Sequence, residues 1–197
     1  MKKLSVLFLT LTALFFSSCA MLVDSDDFDD LLYSFADSGR YSYGNCCIDE
    51  DADTLNIDWY YGSVKIVRTY DRYVSFYEES STEITTERRV RHYFDYKTGS
   101  FYVKFCSPTS NKRYLQTRKI LTVKIPRYSN ITEINVHNKN GDILIELDDE
   151  CGYQVNTNGC NCCCFIENAW QKGDKYRCGR GDVQINTECD DGSVCLK

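Results

Sequence analysis

Apolar and polar residues alternate along most of this chain with a period of two. Leu55 and Ile57 share one face, as do Val64 and Ile66. Val74 and Phe76 alternate with Tyr73, Ser75 and Tyr77; Phe101, Val103 and Phe105 with Tyr102 and Lys104; Leu121, Val123 and Ile125 with Thr122 and Lys124, until Pro126 ends the run. The pattern returns at Ile134 and Val136, at Ile143, Ile145 and Leu147, at Tyr153 and Val155, at Val183 and Ile185, and at Val194 and Leu196. Successive side chains of a strand point to opposite faces, so each run predicts a strand with one apolar and one wet face. Alternation also predicts that Ile143 and Ile145 are buried and that Leu144 is more exposed. The 15 tyrosines and 10 phenylalanines suit strands, and only 2 prolines interrupt them. The folded part, from about residue 54 onward, has the size of one domain.

Two of these runs are the same phrase. "LNIDWYYGSVKI" (55–66) aligns with "INVHNKNGDILI" (134–145): Leu55 with Ile134, Asn56 with Asn135, Ile57 with Val136, Gly62 with Gly141, Val64 with Ile143 and Ile66 with Ile145. "YQVNTNG" (153–159), "GDVQINT" (181–187) and "DGSVCL" (191–196) are variants of it. Each reads as strand, turn, strand. The turn positions are Gly62, Gly141, Asp142, Gly159, Gly181, Asp182 and Gly192, where Gly supplies positive φ and Asn or Asp tolerates it. One such unit cannot bury its own apolar face, but stacked copies can. The expected fold is therefore all-β, a β-solenoid or roll of stacked strand–turn–strand repeats. An antiparallel β-sandwich of hairpins is the alternative.

The order of these motifs resembles the putative-adhesin β-strand-repeat family of bacterial envelope proteins, a domain of unknown function. Gly62, Ser63 and Val64, then Pro126, then Gly141, Asp142 and Ile143 carry the likeness, which spans roughly residues 54–196. The resemblance implies an exported repeat domain with an adhesive or scaffolding role and no catalytic residues. The cysteine-rich stretch 160–164 departs from the family's pattern.

The N-terminus changes the picture of location. Lys2 and Lys3 precede an apolar run, Leu4 to Phe16, that ends in "FSSCA". That run is shorter than the roughly 20 apolar residues a permanent span needs. It predicts a lipoprotein signal peptide over 1–18, lipid attachment at Cys19, and a membrane-anchored protein of the bacterial cell envelope. Cleavage after Ala20, giving a secreted protein, is the alternative. Ten acids and one base, Arg40, fall between residues 24 and 53, so 19–53 reads as an acidic linker. Within it, Phe28, Leu31, Leu32 and Phe35 have the spacing of a short amphipathic helix.

Charge and motif inventory narrow the chemistry. The net charge is −6, and the cluster of Arg88, Arg89 and Arg91 beside Tyr93, Phe94 and Tyr96 is read as a solvated strand face, with no nucleic-acid partner expected. Of 12 cysteines, 11 remain if Cys19 is acylated, an odd number that cannot all pair within one chain. Cys160, Cys162 and Cys164 alternate onto one strand face and Cys163 onto the other. With Cys178, Cys189 and Cys195 they form a candidate disulfide or thiol cluster. Thiolate metal binding and redox chemistry stay open as other uses of segment 160–195. The "RGD" at Arg180–Asp182 is assigned to the repeat turn. No nucleophile elbow, phosphate loop or zinc-protease helix occurs, so the chain is read as a non-enzyme without cofactor or assigned metal. A carbohydrate-active enzyme is the low-weight exception. Expected partners are the membrane, through the lipid, and an extracellular glycan, matrix or envelope protein.

Overall fold

The computed structural model describes residues 33–48, 51–109, 111–146, 152–158, 160–166 and 169–197, and these contain sixteen strands, two 3-10 turns (Ser38–Arg40 and Thr86–Arg88) and one α-helical turn. The strands are β1 (Ser42–Tyr43), β2 (Cys46–Ile48), β3 (Thr54–Trp59), β4 (Gly62–Thr69), β5 (Val74–Ser80), β6 (Arg91–Asp95), β7 (Ser100–Lys104), β8 (Lys119–Pro126), β9 (Glu133–Asn140), β10 (Ile143–Glu146), β11 (Tyr153–Asn156), β12 (Asn161–Cys164), β13 (Trp170–Lys172), β14 (Lys175–Cys178), β15 (Val183–Asp191) and β16 (Ser193–Leu196). The helical turn α1 (Lys112–Leu115) precedes β8, and the Asn111 side chain caps it by accepting from the Arg113 N–H at 3.0 Å. The signal peptide, Cys19, residues 28–32 of the expected helix, Leu147, Cys151 and Gly159 lie outside the described residues.

The strands form two sheets. One runs β1-β6-β7-β3-β9-β15-β11-β14-β13, and the other β12-β16-β10-β4-β8-β5-β2. Each repeat phrase gives one strand to each sheet. The pairs β7/β8, β3/β4, β9/β10, β15/β16 and β11/β12 lie in that same spatial order in both sheets, and neighbouring pairs are parallel. Both sheets end in antiparallel edge strands, so the sheets are mixed and are not closed. A chain coiling in one direction would stack its pairs in sequence order. Here β15/β16 comes last in the chain yet slots between β9/β10 and β11/β12. Residues 42–48, expected in the linker, are edge strands: β1 on β6 and β2 on β5.

The repeat alignment is the pairing register. Leu55 lies opposite Ile134, Asn56 opposite Asn135 and Ile57 opposite Val136; Val64 lies opposite Ile143 and Ile66 opposite Ile145. The inward residues form the core: Leu55, Val64, Ile143, Ile145, Ile185, Val194 and Leu196 are all 0% exposed, whereas Leu144 is half-buried. Phe76 of β5 meets His92 of β6 and Phe101 of β7 across the gap between sheets, with ring centroids 5.3 and 5.9 Å apart. Burying each such large side chain contributes about 1.5–3 kcal/mol.

Where the chain passes from one sheet to the other, Gly62, Gly141 and Gly192 stack in a column. A Cβ on Gly62 would fall 1.9 Å from the Lys119 carbonyl oxygen, on Gly141 2.0 Å from that of Gly62, and on Gly192 2.2 Å from that of Gly141. With φ of +108° and +136°, Gly62 and Gly141 also hold backbone that side chains resist. Asn138, fully buried, braces the column by donating to the carbonyls of Gly62 at 2.9 Å and Gly141 at 2.8 Å. Asp142 ties one corner to the next by accepting from the Ser193 N–H at 3.0 Å and its hydroxyl at 2.8 Å. Gly181 and Asp182 are placed differently: they sit in the exposed turn from β14 into β15 and do not belong to the corner column.

Beneath Gly62, the Lys119 side chain is completely buried. Its ammonium donates to Glu78 Oε2 at 2.7 Å, to the Arg88 carbonyl at 2.7 Å and to the Phe105 carbonyl, which uses all three of its protons. The rings of Phe105 and Trp59 lie 4.1 and 4.8 Å from it.

Candidate functional site: the outer face of the nine-stranded sheet

On the central parallel strands of the larger sheet, the residues that alternate outward are polar and in register. Tyr102, Asn56, Asn135, Asn186 and Asn156 are successive neighbours across β7, β3, β9, β15 and β11. The amides are linked in one direction: Gln184 donates to Asn186 at 3.1 Å, Asn186 to Asn135 at 2.9 Å and Asn135 to Asn56 at 3.1 Å. Such a chain polarises each member and leaves every amide with further donor or acceptor capacity toward solvent.

Two residues further along each strand the row carries charge. Lys104 donates to Asp58 Oδ2 at 3.0 Å, and Asp58 Oδ1 lies 3.3 Å from His137 Nδ1. The other ring nitrogen, Nε2, lies 3.3 Å from Asp190 Oδ1. An imidazolium donates to both carboxylates, whereas a neutral ring donates to one. Asn56, Asp58, Lys104, Asn135, His137 and Asn186 line a shallow pocket of about 310 Å³, closed at one side by Glu188 and by Asn158. Asn158 projects from a tight turn with φ of +46°. At the other end the row continues into aromatic rings, with Tyr93 stacked on Tyr102 at 6.4 Å.

This face was not singled out from the sequence, although the repeat contains it. The 79-residue offset that aligns Leu55 with Ile134 also brings Asp58 beside His137 and Asn56 beside Asn135. The offset of 51 brings Asn186 to Asn135.

The cysteine candidates are distributed over four environments, and Cys160, Cys162, Cys163, Cys164, Cys178, Cys189 and Cys195 are thiols in this structure. Cys162 and Cys164 of β12 lie opposite Val194 and Leu196, on the inward face. Cys163 lies opposite Cys195 on the outward face. Cys160 packs beside Cys189 at the corner, whereas Cys178 pairs with Tyr153. Burial pushes the thiols of Cys160, Cys162 and Cys189 up, the last to about 11. Among the described residues no three His, Cys, Asp or Glu side chains converge as metal ligands. Arg88 and Arg91 are tied into the fold by the Lys119 network and by Ser107, while Tyr93 and Phe94 sit half-buried in ring contacts.

Fold and site together define an all-β protein of two mixed sheets whose larger sheet presents a registered polar row. No family model matches the chain, and no curated protein matches it. Among solved structures, a putative cell adhesion protein from Clostridium sporogenes ATCC 15579 is similar over 80% of this chain and 99% of that one, at 10% sequence identity and a TM-score of 0.42.

Proposed function

We propose that this chain is an exported, lipid-anchored protein of the bacterial envelope, and that its β-repeat domain is a binding surface of adhesin or scaffold type. On this proposal the five stacked strand pairs act as a roll that sets side-chain spacing, and the ligand is an extended polyhydroxylated polymer, a glycan. The observation that carries it is the ladder of Asn56, Asn135 and Asn186 beside Asp58, His137 and Lys104. Amides and carboxylates held at the strand spacing of about 4.8 Å offer paired donors and acceptors to hydroxyl groups along a polymer crossing the strands. The flanking Tyr102 and Tyr93 rings offer an apolar platform at one end.

Catalysis is less well supported by the same geometry. Each nitrogen of His137 faces a carboxylate and not a hydroxyl or thiol nucleophile. A glycan array probed with purified protein tests the proposal. Retention of one glycan class without turnover, weakened at least tenfold by His137→Ala combined with Asn135→Ala, is the expected outcome, about 1.4 kcal/mol or more of binding free energy. Equal retention by the variant would remove this face as the binding site, and released sugar would point to an enzyme.

A further inference from the structure

One wall of the polar pocket is Asn158, and another is β15, which carries Glu188 and Asp190 on its outer side. At the corner between them lie two thiols. Cys160 Sγ is 3.9 Å from the Cys189 carbonyl oxygen and 4.0 Å from that of Thr187, which places its thiol beside Cys189. Cys189 Sγ in turn donates to the Gly141 carbonyl at 3.2 Å, in the glycine column. The Cys160 N–H donates to the Thr157 carbonyl at 2.9 Å, which ties Cys160 to the chain just before Asn158.

We infer that Cys160 and Cys189 are a disulfide-forming pair whose oxidation locks the Asn158 turn onto β15 and so fixes the shape of the pocket. The other cysteines fit this chemistry less well. Cys163 and Cys195 are register partners on parallel strands, where Cβ atoms stay near the strand spacing of about 4.7–4.9 Å. A disulfide holds Cβ atoms at roughly 3.5–4.5 Å. Cys162, Cys164 and Cys178 face Val194, Leu196 and Tyr153 across their strands, not cysteine. Of these seven, Cys160 approaches Cys189 from outside any strand, free of the constraint of register.

The oxidant is a small organic disulfide or the disulfide of an envelope oxidoreductase. One protein thiol loses its proton, and its thiolate attacks a sulfur of the oxidant, displacing one thiol and leaving a mixed disulfide. The second protein thiolate attacks the protein-side sulfur, displacing the other thiol. The pair loses two electrons and two protons, and the oxidant is reduced to two thiols. The thiolate is the attacking species, so the raised thiol of Cys189 makes the step slow at neutral pH and faster as pH rises.

The functional consequence rests on the pocket being the binding face, but formation of the bond does not, and its test needs no ligand. The native full chain is incubated with oxidised glutathione at pH 8, remaining thiols are alkylated, and linked peptides are fragmented. The expected product joins Cys160 to Cys189 and leaves Cys163 and Cys195 alkylated. Amide exchange over residues 156–160 should then be about tenfold slower than in the reduced chain, and Cys160→Ser should abolish the difference. Cys160 or Cys189 recovered alkylated or joined to another cysteine would overturn the inference. So would a Cys160–Cys189 bond that leaves exchange in the turn unchanged.

Discussion

Lys119 holds a positive charge where no water reaches it, and Glu78 beside it is 4% exposed in its side chain. Each ion is tolerable only through the other and through the carbonyls around the ammonium. Glu78 also accepts the Val90 N–H at 2.8 Å, so both of its oxygens are engaged. Lys119→Met should lower unfolding free energy by about 3–5 kcal/mol, because it strands the Glu78 charge. Adding Glu78→Gln, which keeps an acceptor for Val90, should recover at least half of that loss in urea titrations. His92 presents a smaller version of the same conflict. It sits between Phe76 and Phe101, and burial lowers its pKa below the ordinary 6.5. The unfolded chain therefore binds this proton more readily than the folded one. Stability from His92 is fully present above pH 6.5 and is lost as pH falls from there through the lower folded-state value. The fall in Tm between pH 7 and pH 5 should be smaller in His92→Phe than in the native chain. At the core register, Ile145 lies opposite Ile66 and Leu196 with no exposure. Ile145→Asp places an unpaired charge there at a cost of several kcal/mol, and should leave no cooperative unfolding transition.

At the scale of strands and turns, the glycine column decides how closely the pairs can stack. Gly141→Ala places a methyl group 2.0 Å from the Gly62 carbonyl oxygen on backbone with φ of +136°. It should cost at least about 3 kcal/mol in urea titrations. Gly173→Ala, also at positive φ but with nothing within 4 Å, should cost about 1–2 kcal/mol. The contrast separates stacking from conformational strain. Strand existence and facing were legible in alternation, and the alignment of Leu55 with Ile134 was the physical register of β3 on β9. Side-chain period two forces this: a slip of one residue would turn the apolar set outward. The stacking order was not legible. Any pair can neighbour any other through the same backbone bonds, and no local residue says that β15/β16 inserts before β11/β12. Asn138 was hidden for a different reason. It reads as a turn residue, yet it occupies an inward position and bonds two carbonyls of the column. The polar row was visible in the aligned phrases but carried no motif of its own, since its chemistry appears only when three distant asparagines are side by side.

At the scale of the whole molecule, charge is divided unevenly: ten acids crowd residues 24–53, against one base. Six of these acids, Asp24, Asp26, Asp27, Asp29, Asp30 and Asp37, precede β1 in the sequence, and on the proposal they belong to the tether that follows a lipid at Cys19. Detergent-phase partitioning tests this part of the proposal. The native chain should enter the detergent phase with acyl mass on its first residue, and Cys19→Ala should stay in the aqueous phase. Among the described residues no helix is long and apolar enough to cross a membrane. On the proposed function, the outer row of the nine-stranded sheet is the binding face. A titration followed by nuclear magnetic resonance, using the glycan class retained on the array, addresses it directly through the side-chain amides. Saturable shifts are expected at Asn56, Asn135 and Asn186 and at the His137 ring, with the far sheet around Lys65 and Glu146 unmoved. Saturable shifts confined to that far sheet, or to the exposed Arg180–Asp182 turn, would contradict it.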